Sequence, residues 1–430
     1  VSRQAIFNAR LLDPASGLDA MGGLLIDNGV IRDVGPHLAR GLPGVDESHD
    51  AHGKCLAPGL VDLRVKTGEP GAENKETLAT ASQAAAAGGV TTFVVMPDTD
   101  PVIDSVALVD FVKRRAATDT DVKVKIHPAG GLTVDLAGQR MSEIGLMHEA
   151  GAVLFTNGDT ALEDAGVLRR AMQYSTAFDA LIASRPDTPS LTKGAIMNAG
   201  AFAARLGLRG MPAEAEWIAV ERDLVLAETT GARLLVDCLS TQRALASVER
   251  ARAAGVRVAC SVAAYSLFFN ELDVGDYLTY CKVQPPFRAE ADRQALIAGL
   301  ARGAIDAVVS AHDPQPPEDK RLPIAEAAYG ASGLETMLSA LMRLVAEDQV
   351  KMLDALRPVT SGPAGLLGLP QGRLAKGAPA DLVIFDPAAP WACDREDLVS
   401  RSKNSPFDGR MLEGRVLRTI VDGRTVFERG

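Results

Sequence analysis

"VDLRVKTGEP", residues 61–70, is the stretch on which the reading of this chain turns. A hydrophobic run ends in Asp62, Leu63, Arg64, Val65 and Lys66, and a polar Thr-Gly-Glu-Pro loop follows. Successive side chains of a strand point to opposite faces, so residues 62, 64 and 66 share one face. A barrel strand with this ending delivers alternate side chains to a site at its C-terminal end. The last two delivered here are cations, Arg64 and Lys66, and a cation cannot ligate a metal ion.

Working outward from that run, the same pattern recurs. The β-branched runs are "GLVDLRVK" (from 59), "GVTTFVVMPD" (89), "VKVKIHPAG" (122), "GAVLFTN" (151), "AFDALIAS" (177), "ARLLVDCLS" (232), "VRVACSV" (256) and "IDAVVSAHD" (305). Each is separated from the next by a helical stretch rich in Ala, Leu, Glu and Arg. Eight strands alternating with helices predict an α/β protein with a (β/α)8 TIM-like barrel over residues 58–365. A doubly wound sheet would usually show a Gly-rich phosphate loop after its first strand, and none is present. Both chain ends read as β-structure instead. "GGLLIDNGVIRDVG" (22–35) and "LRTIVDGRTVFERG" (417–430) each carry a hairpin signal, at Asn28-Gly29 and Asp422-Gly423, and "ADLVIFDP" (380–387) adds a strand. Pairing the ends leaves no long exposed edges. A small β-sandwich built from both termini, residues 1–57 and 366–430, is therefore expected.

Hydrophobic content of 47% and charged content of 23% over 430 residues suit a large folded domain plus a smaller one. A formal net charge of -10 argues against nucleic acid or an anionic membrane as the main partner. No apolar stretch approaches the ~18 residues that cross a bilayer. The opening "VSRQAIFNARLLDP" lacks the apolar core and cleavage site of a signal peptide. Cysteines at 55, 238, 260, 281 and 393 form no C-x-x-C pair and read as reduced, buried thiols. A cytoplasmic protein is expected.

The chain resembles the dihydroorotase family of the amidohydrolase superfamily along nearly its whole length. The resemblance is carried by "APGLVDLRVKTGEPG" (57–71), "GGVTTFVVMPDTDP" (88–101), "IHPAGGLT" (126–133), "KVQPPFRAEADRQAL" (282–296), "GAIDAVVSAHDP" (303–314), "YGASGLETML" (329–338), "GRLAKGAPADLVIFDP" (372–387) and "SKNSPFDG" (402–409). It implies a barrel whose mouth holds a zinc centre that hydrolyses or closes a cyclic amide, with a terminal β-sandwich. Zinc would lower the pKa of a bound water and polarise the amide carbonyl.

The positions that the resemblance assigns to this chemistry are altered almost throughout. The first strand of the family ends His-x-His, where this chain has Arg64 and Lys66. The arginine that grips the substrate carboxylate is replaced by Gly68, and the substrate-contacting asparagine by Asp98. The acidic pair after the fourth strand reads Asn157-Gly158. The fifth-strand histidine falls near Arg185, the sixth-strand histidine is Cys238, and the base and ligand of the Thr-Asp-His segment is Ala311. His312 survives, followed by Asp313. Cys238, His312 and Asp313 could ligate a metal together. The favoured reading packs Cys238 into the core and has His312 bond a loop, with no metal cofactor. Arg64, Lys66 and Arg185 are then expected to fill the vacated space and pair with residual acids such as Asp62 and Asp313, because an unpaired buried charge is costly. Ser240-Thr241 sits in no G-x-S-x-G elbow, so covalent catalysis has no sequence support.

Two functions follow. The first expectation is a catalytically inactive, dihydroorotase-like assembly subunit of pyrimidine biosynthesis. It would be a homodimer that partners the catalytic chain of aspartate transcarbamoylase, as the resemblance to the non-catalytic subgroup implies. The alternative is an active cyclic amide hydrolase of dihydroorotase, hydantoinase or allantoinase type with an atypical metal site, or an anion-binding sensor.

Overall fold

Short parallel strands, each followed by a helix, form the larger part of the molecule; the computed structural model describes residues 3–40 and 44–430. Strands β1 (Leu60–Val65) and β2 (Val90–Val95) are followed by β3 (Lys125–Pro128, continued by Gly130–Gly131) and β4 (Phe155–Thr156). Then come β5 (Leu181–Ser184), β6 (Arg233–Val236), β7 (Val258–Ala263) and β8 (Ala307–Val309). Neighbours in this order pair in parallel, for example Asp62 with Phe93, Phe155 with Ile182, and Ser261 with Ala307. A parallel bridge between Val65 and His312 joins β1 to the residues after β8 and closes the ring. There the Lys66 N–H donates to the His312 carbonyl at 2.9 Å. Every residue of β1, β2 and β7 is buried, as expected of strands covered on both faces.

Helices follow the strands in turn: α1 (Leu78–Ala87), α2 (Val106–Thr118), α3 (Ile144–Ala150) and α4 (Ala165–Ser175), then α5 (Ala213–Thr230), α6 (Gln242–Ala253), α7 (Glu290–Ala301) and α8 (Met337–Ala346). α1 packs on the barrel through Leu78, Ala81, Ala84 and Ala85. Its start is fixed by a capping box between Thr77 and Thr80, and by Glu69, whose carboxylate accepts from the Leu78 N–H at 2.9 Å. The "GEP" of the opening stretch is thus a helix anchor.

Both ends of the chain share one eight-stranded sheet. Arg3–Asp13 lies between Leu18–Asp27 on one side and Glu47–Asp50 and Cys55–Pro58 on the other. Cys55–Pro58 pairs with Leu382–Asp386, which leads to Arg415–Val421 and Arg424–Glu428. Ile6, Leu24, Ile26, Leu56, Leu382 and Ile420 form its core. The two expected hairpins are present, with Asp27 opposite Val30 and Val421 opposite Arg424. Their turns also meet. Gly29 has φ +78, and a Cβ there would lie 2.7 Å from the Asp422 carbonyl oxygen. Lys125, at the start of β3, ties this corner to the barrel through Asp381 at 2.8 Å and Asp422 at 2.7 Å. All five cysteines are free and buried. Among the described residues no helix is long and apolar enough to cross a membrane.

Gly29→Val combines a left-handed backbone, a branched side chain and a backbone clash, and is expected to cost about 2 kcal/mol or more in urea unfolding. Gly17→Ala, at φ +76 with no atom within 4 Å of the new Cβ, supplies the control and should cost about 1 kcal/mol.

Candidate active site at the barrel mouth

The C-terminal ends of the strands bring Arg64, Lys66, Asp98, Arg185, Cys238, His312 and Asp313 to one end of the barrel, together with two acids that the sequence reading passed over. These are Asp159, two residues beyond Asn157, and Asp237, the first residue after β6. Arg64 is buried and uses both ends of its fork. Nη1 bonds Asp237, and Nη2 bonds Asp159 at 2.5 Å. Asp237 also accepts from the Ser261 hydroxyl at 2.7 Å, which fixes the carboxylate from β7. Lys66 bonds Asp159, contacts Asp98 at 2.7 Å and lies 3.6 Å from Asp313. Arg185 bonds Asp159 as well. Three cations and four carboxylates therefore form one knot, with Asp159 at its centre.

Their electrostatics follow from burial and proximity. Burial alone would raise the Asp159 carboxyl, but Lys66, Arg185 and Arg64 override it and hold the group well below the usual carboxylate range. Burial disfavours the Lys66 charge, yet Asp159, Asp313 and Asp98 raise the ammonium above its ordinary value. For Asp313 burial wins over the attraction of Lys66, and its carboxyl is raised.

The expected pairing with Asp62 is corrected. Asp62 faces the ring closure instead, accepting from the Arg64 N–H at 3.1 Å and the Ser310 N–H at 3.2 Å. Burial pushes its carboxyl up to about 6. The remaining positions have structural occupations. A Cβ at Gly68 would lie 1.7 Å from the Ala72 carbonyl oxygen, so the backbone closes the place of a substrate-gripping side chain. Asn157 accepts from the Thr133 N–H at 3.1 Å and hydroxyl at 3.0 Å, and bonds Leu136 on its amide side. Cys238 is buried, with its N–H on the Ser261 hydroxyl, and burial pushes the thiol well up. Ala311 borders the mouth without a polar group. His312 accepts from the Gly333 N–H at Nδ1, which leaves the proton on Nε2, 3.5 Å from Glu76. Asn404, of the "SKNSPFDG" segment, donates to the carbonyls of Asp313 at 3.2 Å and Gly330 at 3.1 Å and so fixes the loop that carries Asp313.

This donor set does not fit a zinc centre. The positions of three imidazole ligands hold Arg64, Lys66 and Arg185, whose charged nitrogens already sit on Asp159. Among the described residues no three His, Cys, Asp or Glu side chains group to hold a metal ion. What the arrangement offers instead is hydrogen-bond donors of fixed charge, a carboxyl with raised proton affinity, and about 10 Å³ of free volume between Lys66, Asp159, Tyr265 and Gln284, the room of one water.

Asp237→Ala removes one side of the Arg64 fork without opening the site to solvent, since the Asp237 side chain is only 4% exposed. The variant is expected to lose about 3–5 kcal/mol in urea unfolding, as for a buried pair with one partner deleted.

Comparisons with known proteins place this geometry. A family model described as dihydro-orotase-like matches residues 53–244, and an amidohydrolase family model matches 298–427. The dihydroorotase of Anaplasma phagocytophilum (strain HZ) is 39% identical over 427 residues, covering 98% of this chain and 95% of its own. The dihydroorotase of Syntrophotalea carbinolica (strain DSM 2380 / NBRC 103641 / GraBd1) is also 39% identical, over 98% of both chains. Among solved structures, the L-hydantoinase (dihydropyrimidinase) of Arthrobacter aurescens superposes with a TM-score of 0.90 at 26% identity, covering 100% of this chain and 97% of its own. These findings overturn the expectation of an inactive assembly subunit: end-to-end relatives carry the name of the enzyme, and nothing in the matches singles out a non-catalytic subgroup. Amidohydrolases typically use a metal, so the substituted mouth is a departure within the family and not a sign of another fold. With barrel, terminal sheet and sequence in agreement from end to end, the chain belongs to the dihydroorotase family of amidohydrolases.

Proposed function

We propose that the protein opens or closes a cyclic amide, as a dihydroorotase-type hydrolase, using side chains of the barrel mouth in place of the family's metal centre. The observation that supports this most is the 39% identity to enzymes named dihydroorotase over nearly the full length of both chains. Lys66, whose ammonium carries three N–H groups beside Asp313, supplies a positive donor that stabilises negative charge developing on an amide oxygen when the ring is attacked. Asp313 lies 3.6 Å from Lys66, and its raised carboxyl suits proton exchange with a water or an amide nitrogen. Asn404 holds the Asp313 backbone through its carbonyl, and the neighbouring His312 and Glu76 side chains are fully buried. No covalent intermediate is needed, because a water molecule in the mouth serves as the nucleophile. The free volume admits that water but no ring, so a substrate enters only when a mouth loop moves.

Purified protein should be incubated with dihydroorotate, hydantoin and dihydrouracil, and with their ring-opened acids, with and without a chelator. Chromatography should show turnover of at least one pair. That turnover should survive the chelator and fall at least 100-fold in Lys66→Met whose circular dichroism matches the parent. Absence of turnover for every pair overturns the hydrolase reading, and turnover abolished by the chelator overturns its metal-free form.

A further inference from the structure

The three cations that meet on Asp159 are arranged as a receptor for a carboxylate, and Asp159 is the member of the knot best able to leave it. Arg64 and Lys66 approach different oxygens of the Asp159 carboxylate, and Arg185 shares the oxygen that Arg64 uses. Asp237 lies within the barrel at 4% exposure, whereas Asp159 is 32% exposed and stands on the irregular loop between β4 and α4. That loop is anchored at both ends by groups other than Asp159. Asn157 holds the first end through Thr133 and Leu136, and Asp164 caps α4 by accepting from the Gly166 and Val167 N–H groups. Swinging Asp159 outward therefore breaks neither anchor.

Withdrawal has an uneven effect on the cations. Arg64 keeps Asp237, and Lys66 keeps Asp98. Arg185, with a side chain only 5% exposed, has no other acidic partner among the described residues. A buried guanidinium left in this way is strongly unfavourable unless an anion replaces the lost one. The vacated volume adjoins Tyr265, Gln284 and Gly330 and continues the small cavity at the mouth. Position 68 is closed by backbone, so a ligand carboxylate has no place on the loop after β1.

We propose that Arg64, Lys66 and Arg185 form a binding site for the carboxylate of a small anionic ligand, and that Asp159 occupies this site as a tethered, displaceable substitute. Ligand entry and loop opening are then one event. The exchange swaps one carboxylate for another on the same donors, which keeps its net cost small. This deepens the hydrolase reading by naming the group of the substrate that is gripped. It is tested by binding alone, so loss of turnover and loss of this site are separate results.

The test uses succinate as the probe, at constant ionic strength, with hydantoin as a neutral control. In calorimetric titration Asp159→Ala should bind succinate at least 10-fold more tightly than the parent protein, and adding Arg185→Met should cancel the gain. Hydantoin should show no such difference. In the parent protein, saturating succinate should accelerate amide hydrogen exchange at residues 157–164 and leave the barrel strands unchanged. Equal succinate affinity in parent and Asp159→Ala overturns the proposal. If Asp159→Ala does not fold, the exchange measurement decides alone, and unaltered exchange in the loop overturns it.

Discussion

The ion pairs on Asp159 are the constraint around which the mouth of this barrel is built. Burying three cations would be prohibitive without counter-charges, and each carboxylate of the knot comes from a different part of the ring. Asp98 follows β2, Asp159 follows β4, Asp237 follows β6 and Asp313 follows β8. Side chains from alternate strands thus cross-brace the C-terminal face much as divalent ions would, through many charge-assisted hydrogen bonds in place of a few coordinate bonds. This accounts for the coexistence of a changed ligand set with an unchanged fold. The contacts that span the ring are still made, though by different atoms.

The scaffold around the knot is fixed by backbone more than by charge. Val65 and His312 close the ring by a strand bridge, and the His312 carbonyl takes the Lys66 N–H. The position of Lys66 is therefore set by the ring closure before its ammonium meets any acid. The terminal sheet performs the same service at a distance. Its hairpin turns meet at Gly29 and Asp422, and Asp381 and Asp422 hold Lys125 at the entrance to β3. A site built on such strands keeps its geometry, whereas Asp159, on a loop, does not share that rigidity.

Much of this was legible in the sequence. The eight runs located all eight barrel strands, because fully buried parallel strands read as unbroken β-branched stretches. The hairpins were legible from Asn28-Gly29 and Asp422-Gly423, where the turn demands a positive φ at both central residues; Asn28 has φ 51 and Asp422 φ 47. Arg64 and Lys66 were legible at the mouth from their strand ending, and Arg185 from the family resemblance. Of their partners only Asp313 was legible, 3.6 Å from Lys66. Asp62 was expected to pair with them as a residual acid of the mouth, yet its carboxylate is taken up by the backbone N–H groups of Arg64 and Ser310. Asp159 and Asp237 carried no motif, and the only available signal was position, within three residues of a strand end in a ring with a surplus of cations. Which of two facing strands supplies a counter-charge is a three-dimensional fact, and alternation along one strand cannot encode it.

The opposing shifts within the mouth show which part of it is held closed at neutral pH. Asp159 has a lowered carboxyl pKa in the folded chain, so its contribution to stability is present above the unfolded value of about 4 and is lost as pH falls through the folded one. Asp62 runs the other way. Its proton is held more tightly in the folded chain, and the stability this gives at low pH is lost as pH rises through about 6. Near neutrality Asp62 therefore bears a charge that burial disfavours, while Asp159 above it is ionised and its ion pairs are at their strongest. Thermal fluctuation alone then has to separate Asp159 from three cations at once, whereas an incoming carboxylate replaces those contacts as they break. On the proposed exchange, a mouth held by charge in this manner responds to an anion of matching shape.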